Sequence, residues 1–176
     1  MGSEGLQGAL GFRWSPPNPV QRGMQRAAST RAGAWVFQRT LYRVDRPLYR
    51  WSGGRVTLPG MATGLPVIML TTTGAKTGLA RTMPVAAIPL GDDLAVVGTN
   101  FAQPKPPGWA LNLAKNPLAD VTWRAITVRV VATPVPESDI DRVWESASRV
   151  YAGFPKYRER LEGARTVLAF TLAPDA

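Results

Sequence analysis

Lys76 lies between two glycines four residues apart, in Thr73-Gly74-Ala75-Lys76-Thr77-Gly78, and Arg81 follows five residues later. Paired glycines let a backbone turn sharply and expose its amide N–H groups. Lys76 adds a full positive charge and the threonines add hydroxyl donors, a combination that suits a phosphate. If the segment folds back as a hairpin, Lys76 and Arg81 can meet one anion, the first as a point charge and the second as a bidentate fork. This is not a P-loop, because Ala75 separates Gly74 from Lys76. No Gly-x-Gly-x-x-Gly fingerprint supports a dinucleotide fold either. The plain alternative is a hairpin tip carrying solvated charges.

Two aromatic groups come next. Trp109 and Asn112 stand one turn apart on a short helix, after a Pro-rich loop, Phe101–Gly108, able to line a cleft. Tyr151, Phe154 and Tyr157 recur at steps of three and would share a face on a helix. They are either packing residues or an aromatic lid with hydroxyls turned into a pocket. The Asp92/Asp93 pair follows Gly91 and reads as a turn rather than an acid/base dyad.

Composition removes other chemistries. The 176 residues include no His and no Cys. Ser-His-Asp triads, Cys-His dyads, His-ligated metals and disulfides are therefore excluded, and no metal is expected. A bound cofactor is the economical source of reactivity. The lack of Cys fits a reducing compartment, so the expectation is a cytoplasmic protein. No run of 18 apolar residues is present, and the first residues lack the pattern of a signal peptide.

The net charge of +9 is concentrated near the start. Residues 1–60 hold nine Arg against Glu4 and Asp45, a balance of +7, while the other 116 residues hold 12 basic and 10 acidic groups. Such an arm can attract phosphates, polyanions or anionic lipid headgroups, which gives an expectation of peripheral contact with the inner face of the cell membrane. With the charge confined to one arm and no recognised motif, no nucleic-acid partner is expected.

The elements positioning these residues follow from pattern. Residues 1–19, rich in Gly and Pro, read as disordered. A basic amphipathic helical arm is expected over 20–50, with a helix from Val20 to about Asp45 and an apolar stripe at Ala34, Phe37, Leu41, Val44 and Leu48. A β-rich domain fills 51–176. Its expected strands are Val56–Leu58, Pro66–Thr72, Arg81–Leu90, Leu94–Thr99, Asp120–Arg124, Ile126–Ala132 and Thr166–Leu172. Helices are expected at Pro107–Ala114, from Pro136 to Tyr151 with Ser138 as N-cap, and at Pro155–Glu162. Short strands without β-α-β alternation argue for an α+β fold, a small barrel or sandwich.

Taken in order, Leu70-Thr-Thr-Thr-Gly-Ala-Lys-Thr-Gly, Arg81, Pro84, Trp109, Leu111-Asn112-Leu113 and Asn116-Pro117 resemble the deazaflavin-dependent nitroreductase family, which includes F420H2-dependent quinone reductases. The resemblance runs from about Val67 to the C-terminus. It implies a split β-barrel of the FMN-binding type and coenzyme F420, a deazaflavin with a phosphate and an oligoglutamate tail. By this resemblance Lys76, Thr77, Gly78 and Arg81 bind the phosphate. Pro84, Gly98, Thr99, Asn100 and Trp109 line the deazaflavin groove, and Ala86, Tyr151, Phe154 and Tyr157 form the substrate pocket. The implied reaction is hydride transfer to a quinone, enone or nitro acceptor, with a proton from Tyr157, Tyr151, Thr99 or water. A non-catalytic F420 or lipid carrier and an FMN-binding reductase are the alternatives. Three positions depart from the family: Ala75 where a basic residue is common, Ala86 where nitroimidazole-reducing relatives have Tyr, and Asn100 where they have Lys.

Overall fold

The computed structural model describes residues 5–28 and 64–175. Seven strands make one antiparallel sheet: β1 (Val67–Thr73), β2 (Ala80–Ala86), β3 (Ile88–Leu90), β4 (Asp93–Val97), β5 (Leu118–Trp123), β6 (Ile126–Pro134) and β7 (Ala169–Pro174). Their spatial order is β2-β1-β5-β6-β7-β4-β3. The outermost strands, β2 and β3, are consecutive in sequence and separated only by Ala87. A flat sheet cannot satisfy that connection, so the sheet curls until its edges approach, giving the expected α+β split barrel.

Period-two alternation fills the barrel. In β1, Ile68, Leu70 and Thr72 are buried while their neighbours are half-buried. Leu94 and Val96 on β4, Val121 on β5, Val130 on β6, and Phe170 and Leu172 on β7 join the same core. Helix α3 (Gly108–Lys115) adds Trp109, Ala110 and Leu113 to it. A second apolar layer lies on the opposite face of β3, β4 and β7. There Ile88, Ala95, Val97 and Ala169 pack with residues of α4 (Ile140–Val150) and α5 (Phe154–Leu161).

Four local expectations differ from what is observed. Residues 5–18, placed within a disordered 1–19, include helix α1 (Leu6–Ala9). Leu6, Leu10 and Phe12 are buried in the barrel core, and the Leu6 N–H donates to Asp93 Oδ1 at 2.8 Å. Glycine-rich composition concealed three apolar side chains with a core to enter. The single strand expected over Arg81–Leu90 is interrupted at Ala87, whose N–H donates to Pro66 O at 2.8 Å. There the chain exchanges one partner strand, β1, for another, β4. Ser138 does not cap α4; it lies within a 3₁₀ turn, Glu137–Asp139, and no side chain caps either element. Tyr151 falls in the turn before α5, so the aromatic triplet is not on one helix.

Helix α2 (Pro19–Ala28) is the described part of the basic arm. The remainder of the helix expected to Asp45, its apolar stripe and the strand Val56–Leu58 lie outside the described residues.

Candidate functional site

Strands β1 and β2 pair with Thr72 opposite Arg81 and Thr73 opposite Ala80, so residues 74–79 form the hairpin tip. The Gly74 N–H donates to Leu79 O, and the Gly78 N–H to Gly74 O, both at 2.8 Å. Gly74 is required by space: a Cβ there would stand 2.7 Å from Thr77 Oγ1 and 3.1 Å from Leu79 O. Gly78 is required by backbone, with φ at +69°. The stem of Arg81 lies against Gly74, its Cγ 3.8 Å from that Cβ position. Lys76, Thr77, Gly78 and Arg81 are all exposed, and neither cation has an ion-pair partner among the described residues.

Helix α3 holds this tip. Asn112 Oδ1 accepts the Ala75 N–H at 2.9 Å, and Asn112 Nδ2 donates to Thr72 Oγ1 at 2.9 Å. One turn on, Lys115 Nζ donates to Ala75 O at 2.6 Å. Both peptide groups of Ala75 are therefore tied to one helix, which fixes the backbone beside Lys76 while its side chain reaches water. Lys115 brings a third cation to the loop that no local pattern announced.

The aromatic residues form a separate wall. Ring centroids of Tyr151 and Phe154 are 5.7 Å apart, of Tyr151 and Tyr157 5.9 Å, and of Phe154 and Tyr157 6.4 Å. All three residues are buried, and Ala86 packs against their cluster. The two phenol oxygens lie 3.4 Å apart. Burial pushes the Tyr151 hydroxyl far above its ordinary value, and its neighbour Tyr157 adds to the effect. Burial also raises Tyr157, opposed by its hydrogen bond with Tyr151 and by Arg160. Both phenols therefore stay protonated at neutral pH. The Tyr151 ring folds over Gly153, where a Cβ would fall 2.3 Å from its Cε1.

Between loop and wall lies a left-handed turn. Asn100, Phe101 and Ala102 have φ of 47°, 55° and 58°. For L residues with a Cβ each such position costs roughly 1–2 kcal/mol, and strain of this kind gathers at functional sites. Arg165 offsets it. Its Nη2 donates to Gly98 O and Thr99 O, each at 2.9 Å, and its Nε to Gln103 O at 3.0 Å. Asn100 Nδ2 donates to Lys105 O at 2.9 Å. Phe101, held in this turn, meets Tyr157 edge-on at 6.5 Å. Gly98 lets α3 approach, since a Cβ there would lie 3.3 Å from both Ala110 Cβ and Pro107 Cδ. The same helix thus braces the cationic tip and abuts the start of the strained turn.

The fold gathers Lys76, Thr77, Gly78 and Arg81 on one hairpin tip, and Ala86, Tyr151, Phe154 and Tyr157 in one cluster. Trp109 is only 8% exposed and belongs to the barrel core, apart from the aromatic wall. Pro84 is half-buried on β2, opposite Met69. Thr99 is buried and anchored through its main chain, its N–H donating to Val97 O and its carbonyl accepting from Arg165. Asn112 stood out in the sequence as a partner of Trp109, yet its role is to brace Ala75. Lys115 and Arg165 went unnoticed, because a side chain bonded to carbonyls 40 or more residues away leaves no periodicity to read.

Comparison with known proteins adds to this geometry. Residues 41–171 match the family model described as F420H(2)-dependent quinone reductase. An F420H(2)-dependent quinone reductase of Mycobacterium tuberculosis is 31% identical over 136 residues, covering 74% of this chain and 89% of the relative. The solved structure of an F420-H2 dependent reductase, FDR-A, superposes with a TM-score of 0.55 at 25% identity, over 61% of this chain and 93% of that one. Another, described as a domain-swapped dimer, shares the fold with a TM-score of 0.57 at 24% identity, over 80% and 98%.

Proposed function

The chain belongs to the F420H(2)-dependent quinone reductase family, and from that premise we propose that it is an oxidoreductase using reduced coenzyme F420 to reduce a quinone. The observation that carries the reading is the hairpin: two exposed cations, with no ion-pair partner among the described residues, beside a backbone locked by Asn112 and Lys115. The donor set fits the phosphate of the cofactor. Lys76 supplies charge, Arg81 a bidentate fork, and the Gly74 turn a close backbone approach. When bound, the deazaflavin supplies a hydride equivalent; the chain itself holds no redox group.

What remains for the chain is placement and hydrogen bonding. Phe101 and the Tyr151–Phe154–Tyr157 cluster form a dry apolar wall against which a planar acceptor can lie, and Ala86 leaves room beside it. A phenol with a raised pKa is a poor proton donor but a persistent hydrogen-bond donor. Tyr157 and Tyr151 therefore act by donating to the acceptor oxygen as negative charge develops, and water supplies the final proton. Enones and nitro compounds, whose oxygens develop similar charge, are further acceptors on this reading. Anaerobic oxidation of F420H2 with menadione tests it: turnover should fall in Tyr157→Phe, and no turnover with any quinone would favour a carrier.

Peripheral membrane contact forms a second part of the proposal. Helix α2 exposes Val20 (72%) and Met24 (46%) beside Arg22 and Arg26, a composition suited to an anionic interface. No helix among the described residues is long and apolar enough to cross a membrane. Co-sedimentation with phosphatidylglycerol vesicles, lost in Val20→Asp/Arg22→Glu, is the expected result, and no co-sedimentation of the unaltered protein would refute it.

A further inference from the structure

Gln25 is a fully buried polar side chain on a helix whose neighbours Arg22, Met24 and Arg26 are exposed. A polar group leaves water at this cost only where its hydrogen bonds are replaced. Gln25 Oε1 accepts the Ala152 N–H at 3.0 Å, and Gln25 Nε2 donates to Val150 O at 3.2 Å. These two groups flank Tyr151. The Tyr151 N–H donates to Ala147 O at 2.9 Å, and its carbonyl accepts the Phe154 N–H at 3.1 Å. The main chain at Tyr151 is thus held from four sides, two of them by one side chain more than a hundred residues away. With the backbone fixed and the ring folded over Gly153, the phenol has one place to stand, 3.4 Å from that of Tyr157.

We infer that Gln25 is a positioning residue: by clamping the peptide groups on both sides of Tyr151, it sets where that phenol stands and makes the N-terminal helix part of the acceptor wall. The inference rests on the proposed reading of that wall as the surface the quinone meets. The match to the family model starts at residue 41, beyond Gln25, so acceptor preference is set partly by a segment outside the matched region.

Gln25→Met keeps length and apolar bulk while removing the hydrogen bonds to Ala152 and Val150. Amide exchange at Ala152 should accelerate on the order of tenfold, the loss expected for one net hydrogen bond. kcat for menadione should fall by about as much, with the Kd for oxidised F420 nearly unchanged. In a Tyr151→Ala background, Gln25→Met should add nothing. Unchanged exchange at Ala152 in Gln25→Met overturns the clamp whatever the cofactor does. An unchanged kcat, a strictly additive double variant, or an equal loss of F420 affinity overturns the positioning role. Should Gln25→Met not fold, Gln25→Asn, which keeps a neutral amide but draws it back from Ala152 and Val150, carries the same test with a smaller expected fall. If the unaltered protein neither binds F420 nor reduces menadione, the functional reading falls, and exchange at Ala152 still decides the clamp.

Discussion

Gly153→Ala should displace Tyr151 without straining the backbone. Gly153 has φ of −86°, which alanine adopts freely, so the effect is confined to space. The added Cβ would sit 2.3 Å from Tyr151 Cε1, 2.5 Å from Cζ and 2.8 Å from the hydroxyl oxygen. Ordinary contact begins near 3.4 Å, so the ring must retreat by about 1 Å. Its main chain cannot follow, because Gln25 holds both sides. The ring therefore swings, and the 3.4 Å contact with Tyr157, already at the limit of a hydrogen bond, is lost. Overpacking of this kind costs roughly 1–3 kcal/mol, from which the stiffer unfolded chain recovers about 0.4–1 kcal/mol. The net loss, about 0.5–2.5 kcal/mol, lowers the melting temperature by roughly 1–10 °C in a chain of this size. Scanning calorimetry with near-ultraviolet circular dichroism reads both effects, and kcat for menadione should fall while F420 affinity stays. An undiminished melting temperature with an unchanged aromatic spectrum would refute the argument that Gly153 exists to seat the Tyr151 ring.

Asn112→Leu removes the bonds to Ala75 in the hairpin tip and to Thr72 on β1 and leaves the Ala75 N–H unpaired, so stability should fall by about 1–3 kcal/mol in urea titrations, with F420 binding weakened several-fold. Arg165→Met removes the guanidinium bonds to four carbonyls, those of Gly98, Thr99, Gln103 and Thr166, and amide exchange at Ala102 and Gln103, which close the left-handed turn onto Thr99 and Asn100, should accelerate; unchanged exchange would mean the turn is held by other forces. Burial raises Tyr151 and Tyr157 above the ordinary phenol range, so the folded chain keeps protons that the unfolded chain releases. Stability is then fully present below about pH 10 and declines as pH climbs beyond it, by up to about 1.4 kcal/mol per unit for each phenol. Urea midpoints from pH 8 to 11 should show that decline, and Tyr151→Phe/Tyr157→Phe should flatten it.

Much of the fold is local and was legible. The compact apolar run Pro66–Thr72, ending in threonines, marks β1, Gly91-Asp92-Asp93 marks the β3–β4 turn, and Pro107 with Asn116-Pro117 brackets α3. The cationic tip was readable because its glycines, Lys76 and Arg81 lie within eight residues of one another. What escaped depends on long-range pairing. The break at Ala87 exists because the chain changes partner strand there, a fact written nowhere between Arg81 and Leu90. Leu6, Leu10 and Phe12 looked like part of a disordered tail because nothing nearby announces the barrel core they enter. Asn112, Lys115, Arg165 and Gln25 act by reaching peptide groups between 37 and 127 residues away. Trp109 shows the converse: a residue with a strong motif whose place in the structure is the core.

Titration of the unaltered protein and of Lys76→Ala/Arg81→Ala with oxidised F420, with FMN in parallel, tests the central claim most directly. The hairpin tip as the phosphate anchor predicts F420 binding at tens of micromolar or tighter (roughly −6 kcal/mol or better), weaker binding of FMN, and at least about a tenfold loss in the double variant. Failure of F420 to bind, or the same affinity after both cations are removed, would contradict it.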